Sequence, residues 1–339
     1  MHTTRYLMLR CPIMLQKIIT ILLIYLTLAT SITIIGATDT KDGVNVVVTF
    51  PFILKDIENI LCDGDTVYSL VPLGVDPHEY QIMPQDFEIL SKADLIISTA
   101  HTPFETNIKK LIDDGVLKAK LIEIPGIAGI KFLEHPSSDT INYHGLLMDI
   151  NNYLIFIENV TNTLSFIRHD CGDVYRSRFE EIANRARDVS VKKLLKNRIA
   201  VIDSPILQYL VTSLGAEVKH IVQIEHEVPI TPKDIARAED VVKTYGNKTI
   251  IVVLKESIAR ASLNDIAYRY RVPFIELPNP LSYNSTLGYY ESVLEMISQD
   301  MMSSVSLEKS DVWRKEYLVY VAIGLALIVV IALLVAKKY

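Results

Sequence analysis

"TVYSLVPLGVDPHEYQIMPQDFEILSKADLIIS", residues 66–98, is the stretch that decides the fold. It opens on a short apolar run rich in β-formers, and "DLIIST" from Asp94 is another. Between them "PQDFEILSKA" has helical spacing. Strand, helix and strand in so short a span imply parallel pairing with a helical crossover. His78 falls in the turn after the first strand, locked behind Pro77 and followed by Glu79 and Tyr80. A buried structural histidine and a metal ligand both fit that position.

The alternation continues outward. "VNVVVTF" upstream reads as a strand and "PFILKDIENILCD" as a helix, with apolar residues at Ile53, Ile57, Ile60 and Leu61. Downstream, "ETNIKKLIDDG" is a helix ended by Gly115, and "AKLIEIP" is a fourth strand. Residues 127–146 read as an irregular loop, and two long helical segments follow, over 148–167 and 173–196. The second has acids near its start and bases near its end, as the helix dipole favours. Strands "RIAVID", "EVKHIV", "KTIIVVL" and "PFIEL" then alternate with helices, and a last helix covers 286–303. Thr231 followed by Asp234 marks the start of the "TPKDIARAEDVV" helix. The predicted fold is α/β: two lobes, each a roughly four-stranded parallel sheet flanked by helices, joined by one long helix. The N-terminal lobe spans 38–167, the connecting helix 168–197 and the C-terminal lobe 198–303.

The ends of the chain read differently. Residues 1–37 hold Arg5, Arg10 and Lys17 and an apolar run closing on Gly36 and Ala37, the layout of a secretory signal peptide cut near Ala37. Ile35 is larger than the residue usual two positions before such a cut, which leaves an uncleaved anchor open. Residues 304–316 form a polar linker to "YLVYVAIGLALIVVIALLVA", residues 317–336. That run is uncharged and, at about 1.5 Å per residue, about long enough to cross a bilayer. Lys337 and Lys338, in the tail 337–339, favour the cytoplasmic side. The expected placement is therefore the cell membrane, single-pass, with a C-terminal transmembrane helix, the main domain extracellular and the C-terminus cytoplasmic.

Removal of residues 1–37 takes the formal charge from −6 to −9. That balance argues against a nucleic-acid partner and suits an external domain. Cys62 and Cys171 remain after processing, an even count that permits a disulfide outside the cell, although spacing alone does not establish one. Asn159, Asn247 and Asn284 open glycosylation sequons.

Ligands of open α/β sheets bind beyond the carboxyl ends of the strands. His78 sits at such an end, as do His101 after "DLIIST", Asp203 after "RIAVI", and Glu276 and Asn279 after "VPFI". His144 comes from the irregular loop. A cleft between the lobes would bring these groups face to face. Imidazole and carboxylate suit zinc and also manganese. His2, His135, His169, His220 and His226 read as surface or turn residues. Enzyme readings find no footing: there is no Gly-x-Ser-x-Gly elbow, Gly-x-x-x-x-Gly-Lys loop or Gly-x-Gly-x-x-Gly turn. Cys-x-x-Cys and His-Glu-x-x-His are absent too, which removes a structural zinc module and a zinc protease.

"VVVTFPFILKDIENIL", the 66–98 stretch and "PITPKDIARAEDVVKTYGNKTIIVV" resemble the metal-binding substrate-binding proteins of ABC importers, the zinc and manganese type. The resemblance covers most of residues 44–303 and is most specific around Asp-Pro-His-Glu-Tyr. It implies two α/β lobes bridged by a rigid helix, one metal in the cleft, and an ABC permease with its ATPase as partners of a monomer. It assigns His78 as first ligand and His144, at the start of "HGLLMDIN", as second. The third ligand position falls on or beside Ser204, where Asp203 can substitute, and the fourth falls on Asn279. Glu276 and His101 are the reserve ligands. The expected function is capture of Zn2+ or Mn2+ and delivery to the importer, weakening below about pH 6 as histidines protonate. A different reading follows from the altered second-lobe pair: a metal-site-degenerate relative serving in surface interaction, such as cell adhesion, or binding another small ligand.

Overall fold

The computed structural model describes residues 43–299 apart from 76, 137, 139 and 225–227, together with 16, 17 and 19–22. The chain divides into two units, Met1–Asp42 and Gly43–Tyr339. In the first, residues 16, 17 and 19–22 are helical.

The second unit carries both lobes. Its strands are β1 (Asn45–Val48), β2 (Thr66–Ser69), β3 (Leu95–Ser98), β4 (Lys120–Glu123), β5 (Leu133–Glu134), β6 (Ile141–Asn142), β7 (Ile199–Ile202), β8 (Glu217–Ile221), β9 (Thr249–Leu254) and β10 (Phe274–Leu277). Its helices are α1 (Leu54–Glu58), α2 (Pro84–Ser91), α3 (Pro103–Asp113), α4 (Ile150–Ile167), α5 (Gly172–Ser190), α6 (Ile206–Ser213), α7 (Pro232–Tyr245) and α8 (Arg260–Tyr270). A further helix, α9, covers residues 286–299.

The first lobe is a four-stranded sheet in the order β2-β1-β3-β4 and the second a four-stranded sheet in the order β10-β9-β7-β8. Every pairing within both sheets is parallel. Read from the β8 edge, the second sheet repeats the order of the first. In each, the first and third strands are neighbours, and the crossovers leave them in opposite directions. The carboxyl ends at those two points are therefore the natural ligand crevices.

Period-2 alternation divides each strand between two cores. Val46 and Val48 face one apolar cluster, while Val47 enters another under α2 and α3. Ala200 and Ile202 join the same large cluster as Val46, and Val201 enters a third with α7 and α8. The large cluster also holds Tyr153, Phe156 and Val160 of α4, Tyr175 and Phe179 of α5, and Tyr290 and Val293 of α9. One continuous apolar core thus runs through both lobes. Asp56, 2% exposed on α1, adds a polar tie by accepting from Ser285 Oγ (2.7 Å) and Thr286 N (2.6 Å) at the start of α9.

Two features depart from the sequence reading and a third settles what it left open. The loop at 127–146 contains the antiparallel ribbon β5–β6. The second long helix ends at Ser190 rather than at 196. Cys62 and Cys171, left open by spacing, form a disulfide with 6.2 Å between Cα atoms. Residues 317–336 lie outside the described residues. Among the described residues no helix is long and apolar enough to cross a membrane.

Candidate metal centre

His78 lies in the turn between β2 and α2. Asp86, in the first turn of α2, clamps the far side of that turn. Its Oδ2 accepts from Met83 N (2.7 Å) and from Tyr80 Oη (2.8 Å). The Tyr80 ring in turn packs edge-on against Phe104 of α3, 5.1 Å between centroids.

His101 is held by Glu105. This buried carboxylate, 2% exposed, accepts from Thr49 Oγ1 (2.7 Å), Ser98 Oγ (3.0 Å), Thr99 N (2.6 Å) and His101 N (2.9 Å). It also closes the capping box with Thr102 at the start of α3. Burial works to raise the Glu105 pKa, yet this ring of donors holds it below the ordinary value. The same ring fixes Ala100 at φ 54°, a left-handed conformation that costs a non-glycine residue about 1–2 kcal/mol. His101 follows this turn directly and lines the cleft.

His144 follows β6 and depends on Asn142. Asn142 Nδ2 donates to Pro205 O (2.9 Å) and Gln208 Oε1 (2.7 Å), two acceptors that settle which way the amide points. Its Oδ1 therefore faces His144, accepting from His144 N (2.8 Å) and lying 3.3 Å from Nδ1. The proton accordingly belongs on Nδ1, and Nε2 presents its lone pair to the cleft. Gly145 is required next, at φ 72°, because an added Cβ would stand 2.6 Å from Ile206 O. The ribbon is pinned to α6 at two further points, by Tyr209 Oη donating to Asn142 O (2.6 Å) and Gln208 Nε2 donating to Glu134 O (2.8 Å).

These supports bring three imidazoles together. One nitrogen from each of His78, His101 and His144 lies within 4.8 Å of the others. His101 Nε2 and His144 Nε2 are 3.0 Å apart. Two nitrogens bound at zinc-like lengths of about 2.0–2.1 Å and a tetrahedral angle would be about 3.3 Å apart, so the pair is spaced for a shared ion. Burial, and then the neighbouring His101, His78 and His135 rings, push the His144 pKa from 6.5 down to about 4. Its imidazole is thus neutral, the form a metal needs.

The second-lobe candidates fare differently. Ser204 and Asn279 line the same cleft, a cavity of about 490 Å³. Asn279 Oδ1 accepts from Leu281 N (2.9 Å), capping the turn Pro280–Ser282. Asp203 is not on the cleft wall. It is 3% exposed, its Oδ2 accepts from Leu254 N (3.1 Å), and its Oδ1 has no partner among the described residues. Glu276 is part of β10 and pairs with Arg260 of α8, away from the cleft lining. Among the described lining residues the acidic side chain is Glu256, two residues past the end of β9. The post-strand rule that singles out His78 applies equally there. Asn142 had no comparable signal. His135 and His220, expected at the surface or in turns, are 5% and 4% exposed, and His220 Nε2 lies 2.9 Å from Asp234 O.

Residues 46–299 match the family described as ZnuA, zinc-uptake complex component A periplasmic. A "Metal ABC transporter substrate-binding lipoprotein" of Lactococcus lactis is 26% identical over 187 residues, which are 52% of this chain and 60% of that protein. "Manganese-binding lipoprotein MntA" of Halalkalibacterium halodurans is 24% identical over 225 residues, 64% of this chain and 73% of that one. The solved structure of the periplasmic zinc-binding protein TroA from Treponema pallidum superposes with a TM-score of 0.60 at 18% identity, covering 75% of this chain and 98% of that one. It shares the two-lobed fold. The single-pass membrane placement expected from residues 317–336 is corrected here. Both relatives are lipoproteins by name, and no helix among the described residues is long and apolar enough to span a membrane.

Proposed function

This chain belongs to the ZnuA family, and from that premise we propose that it is an extracytoplasmic receptor capturing a divalent metal ion, zinc or manganese, for an ABC permease and its ATPase. The observation that carries the reading is the convergence of His78, His101 and His144 within 4.8 Å on one side of the cleft. In this reading all three imidazoles are ligands, so His101 takes the place that the resemblance gave to the second lobe. Two are held by groups away from the ion, His101 by Glu105 and His144 by Asn142, while the Asp86 clamp steadies the turn that follows His78. Such outer partners preset the donors and limit the ordering that binding requires. Nothing in this role alters the ion chemically; the site must bind, exclude competitors and release. Three imidazoles match zinc better than manganese, which prefers oxygen donors.

Calorimetric titration of the purified, metal-free chain tests the reading. Zinc should bind with a Kd below about 1 μM, displace manganese in competition, and lose measurable binding in His78→Ala. Folded protein that takes up neither ion would overturn it.

A further inference from the structure

We propose that Glu256 supplies the carboxylate that completes the metal site from the second lobe. The inference rests on the receptor reading above and names the group missing from it. Imidazoles that bind a metal through nitrogen donate electron pairs but no charge. A dication held by them alone would keep its full charge against a wall that includes Phe50, Phe52, Leu146 and Leu254. A carboxylate would offset that charge, and the described cleft wall offers one.

The alternatives on the second lobe are neutral or engaged. Ser204 and Asn279 line the cleft without charge, and the Asn279 oxygen already caps a turn. Glu276 is paired with Arg260. Asp203 lies behind the wall, holding Leu254 N. Glu256, by contrast, is exposed on the cleft lining, and among the described residues no hydrogen bond or ion pair holds its carboxylate.

Its backbone is nevertheless fixed on both sides. Leu254 N donates to Asp203 Oδ2 (3.1 Å), Lys255 N donates to Leu277 O (2.8 Å), and Ser257 N donates to Leu254 O (3.0 Å). A rigid strand end thus carries a side chain free to swing. That end lies where β9 adjoins β7, the crevice at which the second sheet's crossovers diverge. Asp203 accordingly acts as a positioning residue for Glu256. The completed set, three imidazole nitrogens and one carboxylate oxygen, is a four-coordinate tetrahedral donor set suited to zinc.

Zinc affinity of the full chain, measured by competition with a chromophoric chelator, tests this in wild type, His78→Ala and Glu256→Gln. Because Glu256 is exposed, the Gln variant should unfold at the wild-type temperature when metal-free. Its zinc affinity should fall about 10–100-fold, and X-ray absorption of its zinc complex should lack the carboxylate oxygen present in wild type. If Glu256→Gln binds within about twofold of wild type while His78→Ala loses binding, the receptor reading survives and the Glu256 assignment is overturned. If wild type itself binds no zinc, both are overturned.

Discussion

Replacing Asn142 with leucine separates the positioning of a ligand from its presence. Asn142 is fully buried and is not itself a lining residue of the cleft, yet its Oδ1 holds both His144 N and Nδ1. Leucine keeps the volume and removes that acceptor. The ring is then free to rotate and to change tautomer, so Nε2 no longer presents a fixed lone pair. Loss of such an outer partner weakens metal binding by about 10–100-fold, or roughly 1.4–2.8 kcal/mol. The fold suffers separately. Pro205 O and Gln208 Oε1 lose their donor, and buried orphans cost about 1–3 kcal/mol each, so about 2–4 kcal/mol of stability should go once Gln208 relaxes. Asn142→Asp pulls the two effects apart. It keeps an acceptor beside His144 but sets a carboxylate against the same two oxygens. Its metal affinity should stay within about threefold of wild type while its stability falls at least as far as that of the leucine variant. Calorimetric titration with zinc and urea unfolding of the metal-free proteins measure both. Leucine and aspartate variants that lose zinc affinity equally would refute the positioning role.

Two predictions concern the scaffold. Burial, opposed by hydrogen bonds from Ser257 and Leu254, raises the Asp203 carboxyl from 3.8 to about 6. The folded state then binds that proton more tightly than the unfolded state, so Asp203 lowers stability above about pH 6, and the penalty fades as pH falls toward 3.8. Asp203→Asn, which still accepts from Leu254 N, should gain about 1–3 kcal/mol in urea unfolding at about pH 7.5 and nothing at about pH 4; an equal gain at both would refute the assignment. The Cys62–Cys171 bridge closes a separation of 109 residues. Its reduction should cost about 2–5 kcal/mol and lower the thermal midpoint of the metal-free chain, and an unchanged midpoint would contradict a stabilising role.

Much of this architecture is written locally. Val46 to Val48 alternate between two cores, and α3 begins at Thr102-Pro103 with Glu105 closing the box, because strand period and helix caps depend on residues a few positions apart. The ribbon β5–β6 escaped because two residues per strand carry no periodic signal. Glu276 was selected because a post-strand position says nothing about a competing partner; Arg260, sixteen residues upstream, takes its carboxylate.

The sequence by itself determined the alternation of strand and helix, the two-lobed class, and His78 and His144 as candidate ligands, since each rests on short-range pattern or on a compact motif. Only the tertiary structure decided the company those residues keep. His101 joins them from a different strand end, because Ala100 is held left-handed by the donors around Glu105. His144 acquires its tautomer from Asn142, whose own amide is oriented by Pro205 and Gln208 at α6 of the other lobe. Asp203 turns away from the cleft and Glu256 lines it. Such choices depend on hydrogen bonds and packing between residues far apart in the chain, and no window of sequence contains both partners.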